Sequence, residues 1–442
     1  MRSRHALQIA VPGAERCKHL FSCADRVTAG YVSHMNLSET RRLLRVARPE
    51  TDHARTLARC FSIEDVARKA RLRLPRGALA YLDTGGEGEY TLQRNRDAFD
   101  SIELLPVQPS DVREIDMSTT VLGERIPLPI GFSPVGAPRM FHHEGELAVA
   151  RAAQPYGIPY GISTLATTAV EDIAAVTTAP LWFQAYLWGD RREGKEAIRR
   201  ARDAGFKALL LSIDTNYRSK REREKRAGLE LPTPHLTIRT LLDGALHPDW
   251  SWHFLTSDVI SFPNIGPPDH RSREKIDVMF DGSVTWQDLD WIREIWEGPI
   301  LVKGVMRPEE AVRAVDAGLA GIVVSNHGGR QLDHVPATID VLPGIVDAVG
   351  DRLDVLVDSG FRRGSDIATA LALGAKAVLL GRAHLYGLAA AGESGVRHCV
   401  DLLIEELRMT MALCGVRSIA ELDRTLIRYR SEPSGTASGG RA

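Results

Sequence analysis

The segment DVLVDSGFRRGSDIATALALGAKAVLLGR (354–382) decides the fold of this chain. Two continuous apolar runs, at residues 355–358 and 377–380, flank an Ala-rich amphipathic stretch at residues 364–373. Continuous apolar runs are typical of parallel strands buried on both faces, and such strands need a crossover helix between them. The segment therefore predicts a strand, a helix and a second, parallel strand.

The same alternation extends towards the N-terminus. Six further strand candidates lie at residues 128–133, 158–163, 181–187, 208–214, 300–303 and 321–325. Helix candidates between the strands include residues 145–154, 193–204 and 308–317. Eight such units predict an α/β fold, a closed (β/α)8 TIM barrel. An open, doubly wound sheet is the alternative that the pattern leaves open.

The barrel prediction sets the expected domain organisation. Residues 128–430 form the barrel, with a long insertion at 215–299 between its fourth and fifth strands. Residues 37–127 form an N-terminal helical and lid segment, in which Ser62 precedes a helical pattern. Residues 1–36 and 431–442 are predicted to be disordered tails, and Met35 is a second possible start.

Composition and charge exclude several classes of protein. The 442 residues include 56 Lys+Arg and 57 Asp+Glu, a formal charge of −1, which argues against a nucleic-acid partner. A hydrophobic content of 44% with 26% charged residues is typical of a soluble globular protein. Five cysteines without a CxxC pair, and no sustained apolar N-terminal run, favour a reducing cytoplasm over secretion.

Polar residues follow the ends of the predicted strands, where the active sites of such barrels lie. These residues are Ser163, Gln184, Tyr186, Ser212, Asp214, Lys303, Ser325, His327, Arg330 and Asp358. After the seventh and eighth strands, Gly360, Arg362, Gly381 and Arg382 stand just before helices, an arrangement that favours phosphate binding. Tight turns with surface arginines are the alternative interpretation.

Three of these side chains suggest acid–base chemistry on an anionic substrate. His327 is suited to act as a general base, Asp214 to orient its imidazole and Arg330 to bind a carboxylate. Lys303 has two functional interpretations: a cation beside a negatively charged cofactor, or a Schiff-base lysine as in barrel aldolases. A solvent-facing lysine with no chemical role is the third.

Four motifs carry a specific resemblance. The runs SNHGGRQLD (325–333), LVKG (301–304), WFQAYLW (182–188) and DSGFRRGSDIATALALGAKAVLLGR (358–382) resemble the FMN-dependent L-2-hydroxy-acid dehydrogenase/oxidase family. The resemblance extends from about residue 60 to residue 422, and it is nearest to the bacterial L-lactate dehydrogenases of the flavin type.

The resemblance implies roles for individual residues. On the substrate side they are His327 as the base, Asp214 as its partner, Arg330, Arg221 and Tyr81 as carboxylate ligands, Tyr186 near the hydroxyl group and Leu165 near the substrate side chain. On the FMN side, Pro134 and Gly136 lie behind the isoalloxazine, and Lys303 lies near flavin N1 and O2. Polar flavin contacts are Ser163, Gln184, Ser212 and Ser325, and the ribityl and phosphate contacts are Asp358, Gly360, Arg362, Gly381 and Arg382.

The implied function is FMN-dependent oxidation of L-lactate, or a similar small L-2-hydroxy acid, to the 2-oxo acid, with electrons passed to a quinone or cytochrome. An oxidase that uses O2, or a dehydrogenase of glycolate or mandelate, is the alternative within the family. A flavin-free lyase and a non-catalytic binding barrel are alternatives outside it. A leucine at position 165 favours a small substrate side chain. Asn216 and Ser219 stand where many members of the family have proline and glycine.

The resemblance also implies a homo-oligomer, a tetramer. The expected location is cytoplasmic, with peripheral attachment to the inner face of the plasma membrane. That attachment is expected from the basic run at residues 220–226 together with Trp250, Trp252 and Phe254. The alternative is that these aromatic residues form a lid over the active site.

Overall fold

Eight parallel strands close into a barrel in the computed structural model, which describes residues 57–187, 191–228, 237–265 and 281–430. The strands are β1 (Ile102–Leu104), β2 (Thr119–Val121), β3 (Glu124–Ile126), β4 (Ile130–Phe132), β5 (Tyr160–Ser163), β6 (Leu181–Ala185), β7 (Ala208–Ser212), β8 (Ile300–Val305), β9 (Gly321–Val324), β10 (Asp354–Val357), β11 (Ala377–Leu380) and β12 (Ile427–Tyr429). Strands β4–β11 form the barrel, and β11 pairs with β4 to close it. The barrel prediction is confirmed, and the open sheet is excluded.

Helices surround the barrel, as the alternating pattern predicts. They are α1 (Ile63–Arg73), α2 (Arg76–Asp83), α3 (Tyr90–Asp97), α4 (Gly145–Ala153), α5 (Val170–Ala175), α6 (Arg191–Asp203), α7 (Glu222–Arg226), α8 (Ile238–Ala245), α9 (Pro248–Thr256), α10 (Asp288–Arg293), α11 (Pro308–Asp316), α12 (Thr338–Val349), α13 (Gly364–Ala372) and α14 (Arg382–Cys414). Helix α1 begins where expected, because the Ser62 side chain accepts a hydrogen bond from the Asp65 amide. No helix in the described ranges is both long and apolar enough to cross a bilayer.

A short hairpin closes one end of the barrel. Val121 of β2 and Ile126 of β3 pack with the side chains that fill the barrel interior, among them Leu210 and Leu301. The Leu122 amide also donates a hydrogen bond to Asp354, the first residue of β10. Because the hairpin covers the N-terminal ends of the strands, the C-terminal ends are left to build a site.

The N-terminal segment is more than the predicted helices. It contains α1–α3, but β1 pairs antiparallel with β12 near the C-terminus, and β2 pairs with β3. Strands of three residues are too short to show a period in the sequence. The described parts of the 215–299 insertion carry helices α7–α10 and no barrel strand, as predicted. The predicted tails, 1–36 and 431–442, lie outside the described residues.

Candidate active site

The C-terminal ends of the barrel strands surround one cavity that collects most of the predicted site residues. Its wall contains Tyr81, Pro134, Gly136, Leu165, Tyr186, Arg221, Lys303, His327, Arg330, Asp358, Gly360, Arg362, Gly381 and Arg382. The other predicted residues do not line this cavity, and one of them, Ser212, lines a second cavity beside the insertion; they are Asp214, Ser163, Gln184, Ser212 and Ser325. Residues far apart in sequence therefore meet at one place.

His327 and Asp214 form a half-buried hydrogen-bonded pair. The Nδ1 atom of His327 lies 3.2 and 3.1 Å from the two carboxylate oxygens of Asp214. Burial, together with the positive charges of Lys303 and Arg221, lowers the pKa of His327, although the Asp214 carboxylate opposes the shift. Burial opposes ionisation of Asp214, but His327 and Lys303 hold the pKa of this carboxyl below its usual value. A neutral imidazole that donates from Nδ1 to an ionised carboxylate keeps Nε2 as a proton acceptor.

A tight turn after β9 orients His327. The φ angles of His327, Gly328 and Gly329 are 58°, 67° and 72°, so three successive residues are left-handed. Two glycines make this turn accessible, and a Cβ atom on Gly329 would lie 2.5 Å from the Leu92 nitrogen. His327 itself bears backbone strain of the kind that is common at functional sites. The two glycines of the HGG sequence therefore allow the backbone conformation that orients the His327 imidazole.

Lys303 is buried and charged; it lies within β8, which extends two residues beyond the predicted end of this strand. Its Nζ atom donates to Ser325 Oγ at 2.7 Å and lies 3.0 Å from Asp358 Oδ2. Burial favours the neutral amine, but Asp358 and Asp214 together raise the pKa of Lys303. A Schiff-base lysine needs the opposite shift, because only the neutral amine attacks a carbonyl group. The geometry therefore disfavours the lyase alternative.

Two arginines and two tyrosines line the part of the wall nearest to His327. Arg330 donates from Nη1 to the carbonyl groups of Tyr81 at 2.8 Å and Thr84 at 3.0 Å, and its guanidinium stacks over the Tyr81 ring at 5.0 Å. The Nε atom of Arg221 is buried and has no hydrogen-bond partner within the described part of the chain. Burial raises the pKa of both Tyr81 and Tyr186. Arg221 and Arg330, here named the carboxylate clamp, offer donors to an anion.

Glu224 is a wall residue that the sequence did not identify. Its Oε1 accepts from Arg330 Nη2 at 3.2 Å and lies 3.7 Å from Arg221 Nη1. Glu224 lies in a charged run that is typical of a solvent-exposed helix face, so its surroundings in the sequence did not place it in the site. Its i,i+3 spacing from Arg221 was the one feature that could have indicated a contact between the two side chains.

Ser133 and Ser359 were also not predicted as site residues. Both donate hydrogen bonds to the Asp358 carboxylate, at 3.2 and 2.8 Å.

Glycines and arginines at two helix starts also line the cavity. A Cβ atom on Gly381, just before α14, would enter open space, whereas one on Gly360 would lie 2.2 Å from the Asn95 carbonyl oxygen. The Arg382 guanidinium donates to the carbonyl groups of Leu82, Gly328 and Thr84 at 3.0, 2.9 and 2.7 Å. Burial, reinforced by Arg330, lowers the pKa of Arg382 to about 9.

Buried polar atoms of the barrel strands fit a polar cofactor. Ser163 Oγ donates to Gln184 Oε1 at 3.0 Å, but Gln184 Nε2 and Ser212 Oγ are buried without a hydrogen-bond partner among residues 57–187, 191–228, 237–265 and 281–430. A buried polar group without a partner is costly, so these atoms call for a ligand with hydrogen-bonding edges. Together with Lys303 and the open space at Gly381, they match the ring and phosphate of a flavin mononucleotide.

Comparison with known proteins agrees with this geometry. Residues 70–429 match the model of a family described as FMN-dependent dehydrogenase. An L-lactate dehydrogenase of Caulobacter vibrioides is 41% identical over 384 residues, 85% of this chain and 99% of that protein. One of Vibrio cholerae is 40% identical over 367 residues, 81% of this chain and 97% of that protein.

Solved structures give the same result. A monotopic membrane protein, (S)-mandelate dehydrogenase, superimposes with a TM-score of 0.81 and 37% identity, covering 84% of this chain and all of that chain. A mandelate oxidase superimposes with a TM-score of 0.72 and 36% identity, covering 84% of this chain and 99% of that chain. The chain belongs to the FMN-dependent dehydrogenase family, takes FMN as its cofactor and oxidises 2-hydroxy acids.

Proposed function

We propose that this enzyme oxidises L-lactate, or a similarly small L-2-hydroxy acid, to the 2-oxo acid. The observation that carries the proposal is that His327, which is paired with Asp214, lines the same cavity wall as the carboxylate clamp. A base and a clamp side by side fit a substrate whose carboxylate and reacting carbon are directly bonded. The L-lactate dehydrogenases of Caulobacter vibrioides and Vibrio cholerae support lactate as the substrate.

His327 takes a proton from the substrate in this proposal. Oxidation of a 2-hydroxy acid removes the hydroxyl proton, the hydrogen on C2 and two electrons. Bound FMN accepts the two electrons. If the C2 hydrogen leaves as hydride to the flavin, His327 Nε2 takes the hydroxyl proton. If His327 takes the C2 proton first, the hydroxyl proton leaves together with the two electrons that the flavin accepts. Asp214 stabilises the resulting imidazolium, and Tyr186 lies beside the hydroxyl group.

The clamp holds the substrate carboxylate. Arg330 is fixed by two backbone carbonyl groups and by the Tyr81 ring, so little of its freedom is lost on binding. Arg221 offers its buried Nε, and Tyr81 offers a hydroxyl group that contacts the Gly136 carbonyl at 3.3 Å. Charge-assisted hydrogen bonds from these groups orient the carboxylate relative to His327.

FMN is held along the rest of the wall. Lys303 would supply positive charge beside the reduced ring, and Gln184 Nε2 and Ser212 Oγ, which are buried without a partner in the described part of the chain, would donate to ring atoms as the family resemblance implies. Ser163, Ser325, Pro134 and Gly136 complete the ring contacts, and Asp358 binds the ribityl chain, as the family resemblance implies. Arg362, with the backbone at Gly360, Gly381 and Arg382, receives the phosphate. Because the Arg382 guanidinium already has three acceptors, its backbone N–H is the group for this contact.

A small substrate side chain fits the space beside Leu165. A Cβ atom on Gly136 would lie 3.0 Å from the Leu165 Cβ and 3.2 Å from the Tyr81 hydroxyl oxygen, so this corner is already crowded. Phe141, stacked on Tyr81 at 5.9 Å, bounds the same corner. Both observations favour lactate. Mandelate and glycolate remain the alternatives, since mandelate enzymes superimpose on this chain.

The substrate is tested by anaerobic flavin bleaching. The yellow holoenzyme is mixed with a panel of L-2-hydroxy acids that contains lactate, glycolate and mandelate. We expect the fastest reduction with L-lactate and little with D-lactate. Preferred reduction by mandelate would refute the size argument, and a flavin that no acid reduces would refute the proposed reaction. Reoxidation by air, compared with a quinone analogue and a cytochrome, separates an oxidase from a dehydrogenase.

The residues that support peripheral attachment to the membrane overlap only in part with those that the sequence predicted: Trp252 and Phe254 are exposed, but the basic run and Trp250 have other partners. Of the basic run, Arg221 lies in the cavity wall, and Lys220, Arg223 and Arg226 form ion pairs with glutamates. Trp250 is half-buried and donates to the Met140 carbonyl at 2.9 Å. The exposed apolar side chains of α8, α9 and their flanks form the insertion patch: Ile238, Leu241, Leu242, Leu246, Trp252, Phe254, Leu255 and Val259.

We infer that the insertion patch rests on the membrane of an otherwise cytoplasmic enzyme and brings it to a quinone or cytochrome acceptor. Large exposed apolar patches mark interaction surfaces, and the structurally similar (S)-mandelate dehydrogenase is a monotopic membrane protein. Co-sedimentation with anionic vesicles tests the idea: Leu246→Ser with Leu255→Ser should release the enzyme, and Leu413→Ser, an exposed leucine elsewhere, should not. Wild type that stays in the supernatant would refute it.

The homo-oligomer remains a prediction. Light scattering coupled to size-exclusion chromatography measures the mass of the particle directly. We expect about four times the chain mass of 48.6 kDa, as the family resemblance implies. A particle of one chain would contradict the prediction.

A further inference from the structure

Glu224 is a buried carboxylate in contact with both arginines of the carboxylate clamp. Its Oε1 lies 3.2 Å from Arg330 Nη2 and 3.7 Å from Arg221 Nη1. Its side chain is 6% exposed, and the residue lines the active-site cavity. A carboxylate in such a position loses most of its hydration, so it is tolerated because two cations face it.

The placement of Glu224 is specific to this residue. Glu222 begins the same short helix, but its side chain is 28% exposed and pairs with Lys220 and Arg226 outside the cavity. The two glutamates are two positions apart, so they point in different directions on the helix. The acidic character of α7 therefore does not explain a carboxylate inside the clamp.

We propose, on the basis of the proposed function, that Glu224 sets the charge of ligand that the clamp prefers. With Glu224 in place, the two arginines keep one net positive charge, which the single carboxylate of a monocarboxylic 2-hydroxy acid neutralises. A ligand with a second carboxylate near the clamp meets the negative charge of Glu224 in a water-poor cavity. Glu224 is thus a specificity residue that acts through charge and through its hold on Arg330.

Two features of the clamp support this role. Glu224 occupies one donor group of Arg330, Nη2, while Nη1 is occupied by the carbonyl groups of Tyr81 and Thr84. Arg221 keeps its buried Nε without a protein acceptor in the described part of the chain. One anionic group can be received there, but a second anion close by would compete with Glu224 for the same arginines. Like charges placed close together in a desolvated site are strongly unfavourable.

The test compares a ligand with one carboxylate and a ligand with two. Pyruvate and oxalate are titrated separately into the oxidised holoenzyme, and the change in flavin absorbance gives each dissociation constant. In Glu224→Gln, the ratio of the dissociation constant of oxalate to that of pyruvate should fall by at least about tenfold relative to wild type. The reason is that a neutral amide does not repel the second carboxylate. Glu222→Gln, which removes a negative charge from the same helix outside the cavity, should keep the wild-type ratio.

Two further variants separate charge from folding and from simple support of the arginines. Glu224→Ser, a second neutral replacement, should change the ratio in the same direction, and Glu224→Asp should keep the wild-type preference. An unchanged ratio in both neutral variants, or equal weakening of pyruvate and oxalate, would overturn the proposal, since Glu224 would then only support the arginines.

Failure of the proposed function would appear in a different measurement. It would be seen in wild type, as a flavin that L-2-hydroxy acids do not reduce under anaerobic conditions. If L-2-hydroxy acids reduce the flavin of the wild type but substitution of Glu224 leaves the ratio of the two dissociation constants unchanged, only the proposed role of Glu224 is refuted.

Discussion

Replacement of Asp214 by asparagine tests how much this carboxylate contributes to the action of His327 as a base. The carboxylate lies 3.1 Å from His327 Nδ1 and only 12% of its side chain is exposed, so solvent screens its charge on the imidazolium only in part. Unit charges about 4 Å apart interact by about 4 kcal/mol at an effective dielectric constant of about 20. Each ~1.4 kcal/mol is a factor of ten in rate, so Asp214→Asn should slow flavin reduction by L-lactate roughly 10²- to 10³-fold.

The pH dependence of reduction gives a second measurement on the same variant. His327 accepts a proton only when it is neutral, so the rate in wild type should fall as the pH drops through a pKa that burial has lowered. Asp214 raises this pKa, so its loss should move the fall to a lower pH. Anaerobic stopped-flow absorbance at several pH values measures both effects.

A matched control separates this effect from general damage. Asp111→Asn, at a carboxylate that is 58% exposed and paired with Arg113, should leave the rate within about twofold of wild type. FMN content should be unchanged in both variants, because Asp214 is not in the cavity wall. Reduction of Asp214→Asn within about threefold of wild type would refute the reasoning that the pair drives proton transfer.

Three other outcomes follow from the structure. His327→Gln should abolish flavin reduction but keep FMN bound, because the imidazole acts on substrate; a normal reduction rate would remove it from the mechanism. Arg330→Met should weaken pyruvate binding by about 3 kcal/mol. Arg330→Lys should weaken it by less, because the charge is kept although lysine lacks the planar fork. Titration of flavin absorbance measures both affinities, and an unchanged affinity for pyruvate in Arg330→Met would contradict the clamp. Burial, which outweighs the hydrogen bond to the Leu380 carbonyl, lowers the pKa of His384 to about 4. The free energy of unfolding should therefore be unaffected by titration of His384 above about pH 6.5 and should decrease by about 3 kcal/mol as the pH falls towards 4. Urea unfolding at several pH values should show a smaller decrease in the free energy of unfolding of His384→Gln over this range.

The barrel and most of its site could be predicted from the sequence because both depend on local patterns. Strands such as β7 and β11 are continuous apolar runs, and side chains that follow parallel strands meet at one end of the barrel. The positions of His327 and Lys303 just after or at the end of such runs predict that they share a site, and both line the same cavity wall.

The features that the sequence did not reveal depend on contacts between distant segments. Glu224 lies in the clamp because Arg330, far along the chain, approaches α7. The Arg382 guanidinium reaches the carbonyl groups of Leu82 and Thr84, which depends on where the loop after α2 passes. Trp250 was expected at a membrane surface, but its indole donates to Met140 instead. No local period encodes such approaches.

The charges of the wall explain why one cavity serves two anions. Among the described residues that line it, two carboxylates, Glu224 and Asp358, face a larger set of cations: Arg218, Arg221, Lys303, Arg330, Arg362 and Arg382. Each carboxylate contacts a particular cation: Asp358 binds Lys303, and Glu224 binds Arg330. The contacts fix these cations before any ligand arrives, which reduces the cost of ordering them on binding. We propose that the remaining positive charge receives the FMN phosphate and the substrate carboxylate, so that the same excess of cations serves the cofactor and draws the substrate towards His327.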